Sequence, residues 1–420
     1  MIVFKFGGAS VKNADAVKNL KSIIDRFPTN KIVVVISAMG KMTNALEELC
    51  NNYFHSKAEL NESFTKIKDF HFEIINNLFE DKKHYVFSEV ETMFAELEKI
   101  TKQKPSENFP LEYDKIVSFG ELLSTKIVSI YLNKIKKTAE FVDIRPVLKT
   151  DETHQEGKVN WFLTEKLMKE RFDFSTSRIY ITQGFIGSTN FGETTTLGRE
   201  GSDFTAAIIA NSLNAENVTI WKDVAGVLNA DPKWFDNTQK LHNISYHEAI
   251  ELSYFGATVI HPKTIKPLQN KDISLFVKSF ISPADEGTVI NNNIEYDKLI
   301  PSFIFKMNQV LLSISPRDLS FIVEDNLSEI FAKFSKYRLK VNLMQNSAVS
   351  FSVCVDNIPD KISALIKDLD KEYKVLFNAD LELATIRHYN QDTIDRVLTN
   401  KKVYLEQKTR HTARFVMKTI

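Results

Sequence analysis

The chain opens on an apolar run, Ile2-Val3-Phe4-Lys5-Phe6, which Gly7 and Gly8 bring to a stop. A short β-prone run ended by two glycines reads as a strand and a tight turn. Ala14, Val17, Leu20, Ile23 and Ile24 then recur at helical spacing, and Pro28 closes that helix. The next run, 31–36, is Lys-Ile-Val-Val-Val-Ile. It does not alternate, as expected of a strand buried on both faces of a parallel sheet. Strand, helix and strand make one βαβ unit. Residues 43–104 read as almost wholly helical, with Phe64, Ile67, Phe70, Ile74, Leu78 and Phe94, Leu97, Ile100 in phase, until Pro105 and Pro110 break the run. Further strands are predicted at 141–143, 178–182 and 217–221, and helices over 122–132, 204–213 and 246–255. This alternation predicts an α/β fold: an open, mainly parallel sheet with helices on both faces.

The pattern changes near residue 291. Asn291-Asn292-Asn293 and Pro301 read as a linker over 291–304. Smaller units follow: a strand at 310–314, a helix at 327–337, strands at 341–344 and 349–355, a helix at 360–371 and a strand from 374. That is β-α-β-β-α-β, a ferredoxin-like α+β plan. Residues 381–386, 391–398, 403–407 and 413–418 give β-α-β-β, the same plan cut short. The domains expected are therefore 1–290, a linker, a module at 305–378 and a truncated one at 379–420.

Composition narrows the class. The 420 residues are 43% hydrophobic and 26% charged, which excludes a mainly disordered chain. Lys plus Arg and Asp plus Glu are both 54, so the basic excess of a nucleic-acid binder is missing. The two cysteines, Cys50 and Cys354, are too few for a disulfide framework or a thiolate zinc site. The nine histidines show no metal-ligand spacing. With no signal-like start and no long apolar window, the expected location is the cytoplasm, away from membranes.

Several motifs sit where a parallel sheet opens. Lys5, Gly7, Gly8 and Ser10 join a strand end, a turn that admits close approach and the start of a helix, which together suit an anion. The order differs from both the Walker and dinucleotide fingerprints. Ser37 and Thr43 lie after the second strand, where Thr43 also suits a helix cap. Glu121, in Ser-Phe-Gly-Glu, heads a helix. It either complements the dipole or meets a ligand ammonium. Arg199 and Asp203 occur in 194–203, Thr-Thr-Thr-Leu-Gly-Arg-Glu-Gly-Ser-Asp. Arg199 suits a carboxylate, and capping alone would explain Asp203. Lys222, Asp223 and Lys233 follow a strand in a turn-rich stretch fit for a nucleotide or for plain solvent.

Taken in order, KFGGAS, SAMGKMTN, SFGE, TTTLGREGSD, WKDVAGVLNADPK and FGATVIHPKTI resemble the aspartate kinases of the amino-acid kinase fold over about residues 1–290. The tail resembles their regulatory ACT domains. The resemblance implies ATP- and Mg²⁺-dependent phosphorylation of the L-aspartate side chain to 4-phospho-L-aspartate, the first step toward lysine, threonine and methionine. It implies that Lys5, Gly7, Gly8 and Ser10 hold the ATP phosphates, with Asp203 organising that end beside Lys5. Ser37 and Thr43 would line the aspartate site, Glu121 meet its amino group and Arg199 its α-carboxylate. Lys222, Asp223 and Lys233 would meet the nucleotide. Asp325, Asn342 and Ser347 match an effector region, and ACT modules imply a homodimer or larger assembly. Departures include Glu200 where many relatives have Gly, Thr258 for a nucleotide-side Lys, and Asn342 where lysine-sensitive relatives have Asp. The rivals are kinases of this fold acting on glutamate, acetylglutamate, carbamate or UMP, and a silent amino-acid sensor. The SFGE motif and the tail oppose the first group. Retention of Lys5, Glu121, Arg199 and Asp203 opposes the second.

Overall fold

The computed structural model describes residues 1–135, 139–235, 237–257, 260–318 and 320–420; Thr258 lies outside them. The chain divides into two compact units. The first holds Met1–Val227, Lys240–Ile250 and Val259–Ile294, and the second Leu228–Gln239, Glu251–Thr258 and Glu295–Ile420.

Strands β1 (Ile2–Phe6), β2 (Ile32–Ile36), β3 (Ala139–Val142), β4 (Ile179–Gln183), β5 (Ile186–Ser188), β6 (Thr194–Thr196), β7 (Asn217–Lys222), β8 (Asn243–Ser245), β9 (Ser274–Ser279) and β10 (Thr288–Asn291) belong to the first unit. Eight of them form one sheet in the order β3-β4-β2-β1-β7-β9-β10-β8. Pairing is parallel from β3 to β9, and β10 turns antiparallel to β9. The β5–β6 pair is a separate antiparallel hairpin. The helices here are α1 (Ala14–Asp25), α2 (Met42–Phe54), α3 (Leu60–Leu78), α4 (Val86–Thr101), α5 (Phe109–Val117), α6 (Phe119–Lys134), α7 (Trp161–Arg171), α8 (Gly201–Leu213), α9 (Tyr246–Phe255, which continues toward the second unit) and α10 (Pro262–Gln269).

Every residue of β1 and β2 is buried, as their unbroken apolar runs require. Side chains alternate across a strand. Phe4 and Phe6 therefore enter the core shared with α1, α2, α3, α4 and α6. Lys5 points to the opposite face, where α8 packs on β1. One expectation fails at this turn. Residues Gly8–Val11 form a 3₁₀ turn, and the helix proper starts at Ala14, where Asn13 caps it through Ala16 N–H. The helix start that the sequence placed beside the glycines is thus satisfied by a side chain of its own.

In the second unit, β11 (Ser302–Pro316), α11 (Glu324–Lys336), β12 (Val341–Asn346), β13 (Phe351–Asp356), α12 (Pro359–Leu369), β14 (Tyr373–Arg387), α13 (Gln391–Leu398), β15 (Lys401–Lys408) and β16 (Thr412–Thr419) follow one another. They make a six-stranded antiparallel sheet, β12-β13-β11-β14-β16-β15. The linker expected over 291–304 is shortened by β11, which starts at Ser302. The register of β11 shifts at a bulge between Lys306 and Gln309, where Asn308 takes φ +54°. Beyond the bulge, β11 pairs with β13 and with the first half of β14, and α11 and α12 cover that face. Before it, Ser302–Lys306 pairs with Leu383–Arg387, and β16 and β15 continue the sheet.

Each half repeats the strand order of a ferredoxin-like module. The tail read as truncated therefore has its fourth strand, supplied from upstream by β11. Contiguous sequence reading misses this because one long strand serves both halves. Its core also recruits Ala230 and Phe235, which pack with Phe303, Ile386 and Phe415 beside α13. Phe235 stacks on Phe303 at 4.3 Å and carries the Arg396 guanidinium 3.9 Å from its ring centroid.

Candidate active site

The carboxyl ends of β1, β2, β4 and β7 open onto a cavity of about 800 Å³. That is the crevice an open α/β sheet offers a ligand. Its lining includes Lys5, Gly8, Ser37, Thr43, Glu121, Arg199, Asp203 and Lys222. Motifs as far apart in sequence as those of Lys5 and Lys222 thus meet in one place.

Alternation puts Lys5 on the α8 side, and the first turn of α8 brings Asp203 to it. Lys5 Nζ lies 2.6 Å from Asp203 Oδ1, with both side chains nearly buried. Burial pushes the Asp203 carboxyl up, but the charges of Lys5 and Lys222 outweigh it and hold it below the usual carboxylate range. Asp203 does not cap α8. Glu200 is the cap residue, no side chain caps that end, and Asp203 sits within the first turn facing Lys5. Glu200 itself adopts φ +54°, a conformation Gly takes freely, and its Oε2 accepts His261 N–H at 2.8 Å.

On the far side of the sheet, α6 presents Glu121, which is 2% exposed. Its Oε1 accepts Ala38 N–H at 3.0 Å, while Oε2 is buried without a hydrogen-bond partner. Burial pushes this carboxyl up to about 8, opposed by the Ala38 bond and the Lys5 charge. A buried acceptor left open in a cavity is a place for a cationic donor. Ser124 Oγ donates to Ser37 O at 2.8 Å and ties the loop after β2 to α6. Gly8 is required by close approach: a Cβ there would stand 2.6 Å from Gly40 O. Arg199 is exposed on the opposite rim, with its guanidinium available to a ligand.

Other expected residues lie elsewhere. Gly7 is in the turn but outside the lining, and Ser10 is turned away, donating to Trp221 O at 3.1 Å. Asp223 is exposed beyond the end of β7 and outside the lining. Lys233 is exposed in the second unit, where its N–H donates to Asp231. Of the effector candidates, Asp325 is exposed in the first turn of α11, and Ser347 is exposed and bonded to Ser350. Asn342 is buried. Its Nδ2 donates to Gln309 and Asp356, and its Oδ1 accepts the Lys306 ammonium at 2.8 Å.

Sequence reading missed Glu47, Tyr113, Gln155, Glu156 and Phe185, which also line the cavity. The signal for Glu47 was its place one turn after Thr43. Phe185 follows the carboxyl end of β4 and Tyr113 comes from α5, whereas Gln155 and Glu156 had no local signal, because loop closure brings them in. Buried Asp114 does the closing. It accepts Thr196 Oγ1 at 2.6 Å, His154 Nδ1 at 2.8 Å and Gln155 N–H at 3.1 Å.

Residues 1–279 match the family model described as the amino acid kinase family. The chain is 32% identical over 357 residues to the lysine-sensitive aspartokinase 3 of Escherichia coli (strain K12), covering 85% of this chain and 78% of that one. It belongs to the amino acid kinase family, among the aspartokinases. Two solved structures extend the likeness to the tail. The crystal structure of E. coli aspartokinase III with aspartate and ADP (R-state) matches at TM-score 0.82 and 28% identity, covering 99% of this chain and 96% of that chain. The same enzyme with lysine and aspartate (T-state) matches at TM-score 0.83 and 28% identity, covering 99% and 95%. Among the described residues, no helix is long and apolar enough to cross a membrane.

Proposed function

We propose that this chain transfers the γ-phosphoryl group of ATP to the side-chain carboxylate of L-aspartate, giving 4-phospho-L-aspartate. One observation carries the reading: a buried carboxylate with an open oxygen, Glu121, shares a cavity with Arg199 and with the Lys5–Asp203 pair. Glu121 and Arg199 suit the ammonium and α-carboxylate of an amino acid. The remaining side-chain carboxylate would then face Lys5. Ser37 and Thr43 add hydroxyls along the same wall.

Aspartate's side chain, with a free pKa of about 3.9, is ionised at neutral pH and needs no general base. The obstacle is repulsion between two anions. Lys5 offsets it, and Asp203 fixes the direction of that ammonium. Lys222, at the end of β7, adds a second cation toward the nucleotide, and Gly8 admits the phosphates close to the backbone. ATP enters as its Mg²⁺ complex. Asp203 is the carboxylate that would hold such an ion, which would otherwise keep phosphate and water ligands and would supply neutralisation of the phosphate charge. Positioning and charge stabilisation thus carry the catalysis.

The second unit is read as two ACT modules that regulate the kinase, a reading supported by the complex of the E. coli relative with lysine; such modules would pair across a homodimer or larger assembly. Hydroxylamine converts acyl phosphates to hydroxamates and tests the catalytic reading. Incubation with ATP and Mg²⁺ should yield a hydroxamate from aspartate and none from glutamate, acetylglutamate or carbamate. No product from any acid would favour a sensor instead.

A further inference from the structure

The cavity lining includes carboxylates that no step above uses, Glu47 among them. Glu47 lies on α2 four residues after Thr43, so both project from one face of the helix toward the cavity. From α5, Tyr113 Oη donates to Glu47 Oε1 at 2.6 Å. Burial first, then this bond and the charges of Glu47, Asp114 and Glu121, push the phenol far above its ordinary range, so it stays a donor at any working pH. Glu47 Oε2 accepts no hydrogen bond from the described residues. The pair thus ends in one fixed, open, anionic acceptor.

An ammonium brings three N–H donors. Glu121 offers one oxygen without a partner, Oε2, since Ala38 N–H already engages Oε1, and a single carboxylate on one side of an ammonium leaves donors on its other side to be met. A second carboxylate beside a dicarboxylate substrate would repel it unless that substrate also carries a cation there. We propose that Glu47, held in place by Tyr113, is a specificity-determining residue that takes a second hydrogen bond of the aspartate ammonium and rejects dicarboxylates lacking an amino group. The proposal rests on the aspartate reading above.

Glu47→Gln keeps an acceptor for Tyr113 and removes only the charge. The expected result is a KM for aspartate raised about tenfold, the usual effect of weakening a charged hydrogen bond. The fall in kcat should be much smaller and the KM for ATP unchanged. The inhibition constant of succinate, which lacks the amino group, should hold or fall. Tyr113→Phe should raise the aspartate KM less. An unchanged aspartate KM in Glu47→Gln would overturn the proposal, as would aspartate KM and succinate Ki rising together. Failure of the wild-type chain to trap any aspartyl hydroxamate would overturn the aspartate reading as well, which separates the two.

Discussion

At the scale of single residues, the site rests on two buried carboxyls pushed in opposite directions. Asp203 is held ionised by Lys5 and Lys222, while burial leaves Glu121 protonated until about pH 8. An incoming ammonium needs Glu121 ionised. Aspartate binding at pH 7 should therefore release roughly one proton, and the release should vanish as pH rises above about 8. Calorimetry in buffers of different ionisation enthalpy measures this. Glu121→Gln should release none, and equal proton counts in both proteins would remove Glu121 from the ammonium site. Lys5→Ala should abolish turnover while changing aspartate affinity only a few-fold, since Lys5 is assigned to the phosphoryl end. It also strips Asp203 of its nearest cation, so a stability loss on the order of 3 kcal/mol should accompany it. A variant with wild-type kcat would sink the assignment.

Among the elements, α3 carries an unusual burden. His71 is fully buried, its Nδ1 bonded to Ile67 O at 2.8 Å and its Nε2 without a partner. Burial lowers its pKa to about 4, opposed only by the Ile67 bond. The unfolded chain, at about 6.5, binds the proton first as pH falls. Stability is thus lost between about pH 6.5 and about pH 4, by up to about 3 kcal/mol. Hydrogen-exchange protection factors in α3, corrected for the intrinsic pH dependence of exchange, should fall as pH drops through that window, and His71→Leu should flatten the fall; an identical pH profile in the variant would rule His71 out. The helix itself was legible from Phe64, Ile67, Phe70, Ile74 and Leu78, as were β1 and β2 from their apolar runs. The β5–β6 hairpin was not, because Thr194–Thr196 reads as a polar loop and becomes strand only through its partner. The site was legible where strand ends carry it, at Lys5, Ser37 and Lys222. It was illegible where Asp114 draws Gln155 and Glu156 in, since no local pattern encodes a distant hydrogen bond.

For the molecule as a whole, the second unit corrects the sequence most. A long strand shared by two modules, with Phe235 from a distant stretch packed into the core of one of them, is invisible to periodicity. Phe235→Ala should cost roughly 3–5 kcal/mol in the module containing α13 and make it the first region cut by protease. Intact wild-type resistance there would show that Phe235 adds nothing. Asn342 is already engaged by Lys306, Gln309 and Asp356. Millimolar lysine should therefore leave turnover unchanged, and inhibition in a steady-state assay would show that this network opens. The kinase chemistry can be read more directly. Aspartate labelled with ¹⁸O in its carboxylates, turned over with ATP and trapped by hydroxylamine, should yield phosphate carrying one ¹⁸O, because the side-chain oxygen becomes the bridge to phosphorus. Phosphate free of label would mean that ATP was cleaved without that bond, and aspartate would not be the acceptor.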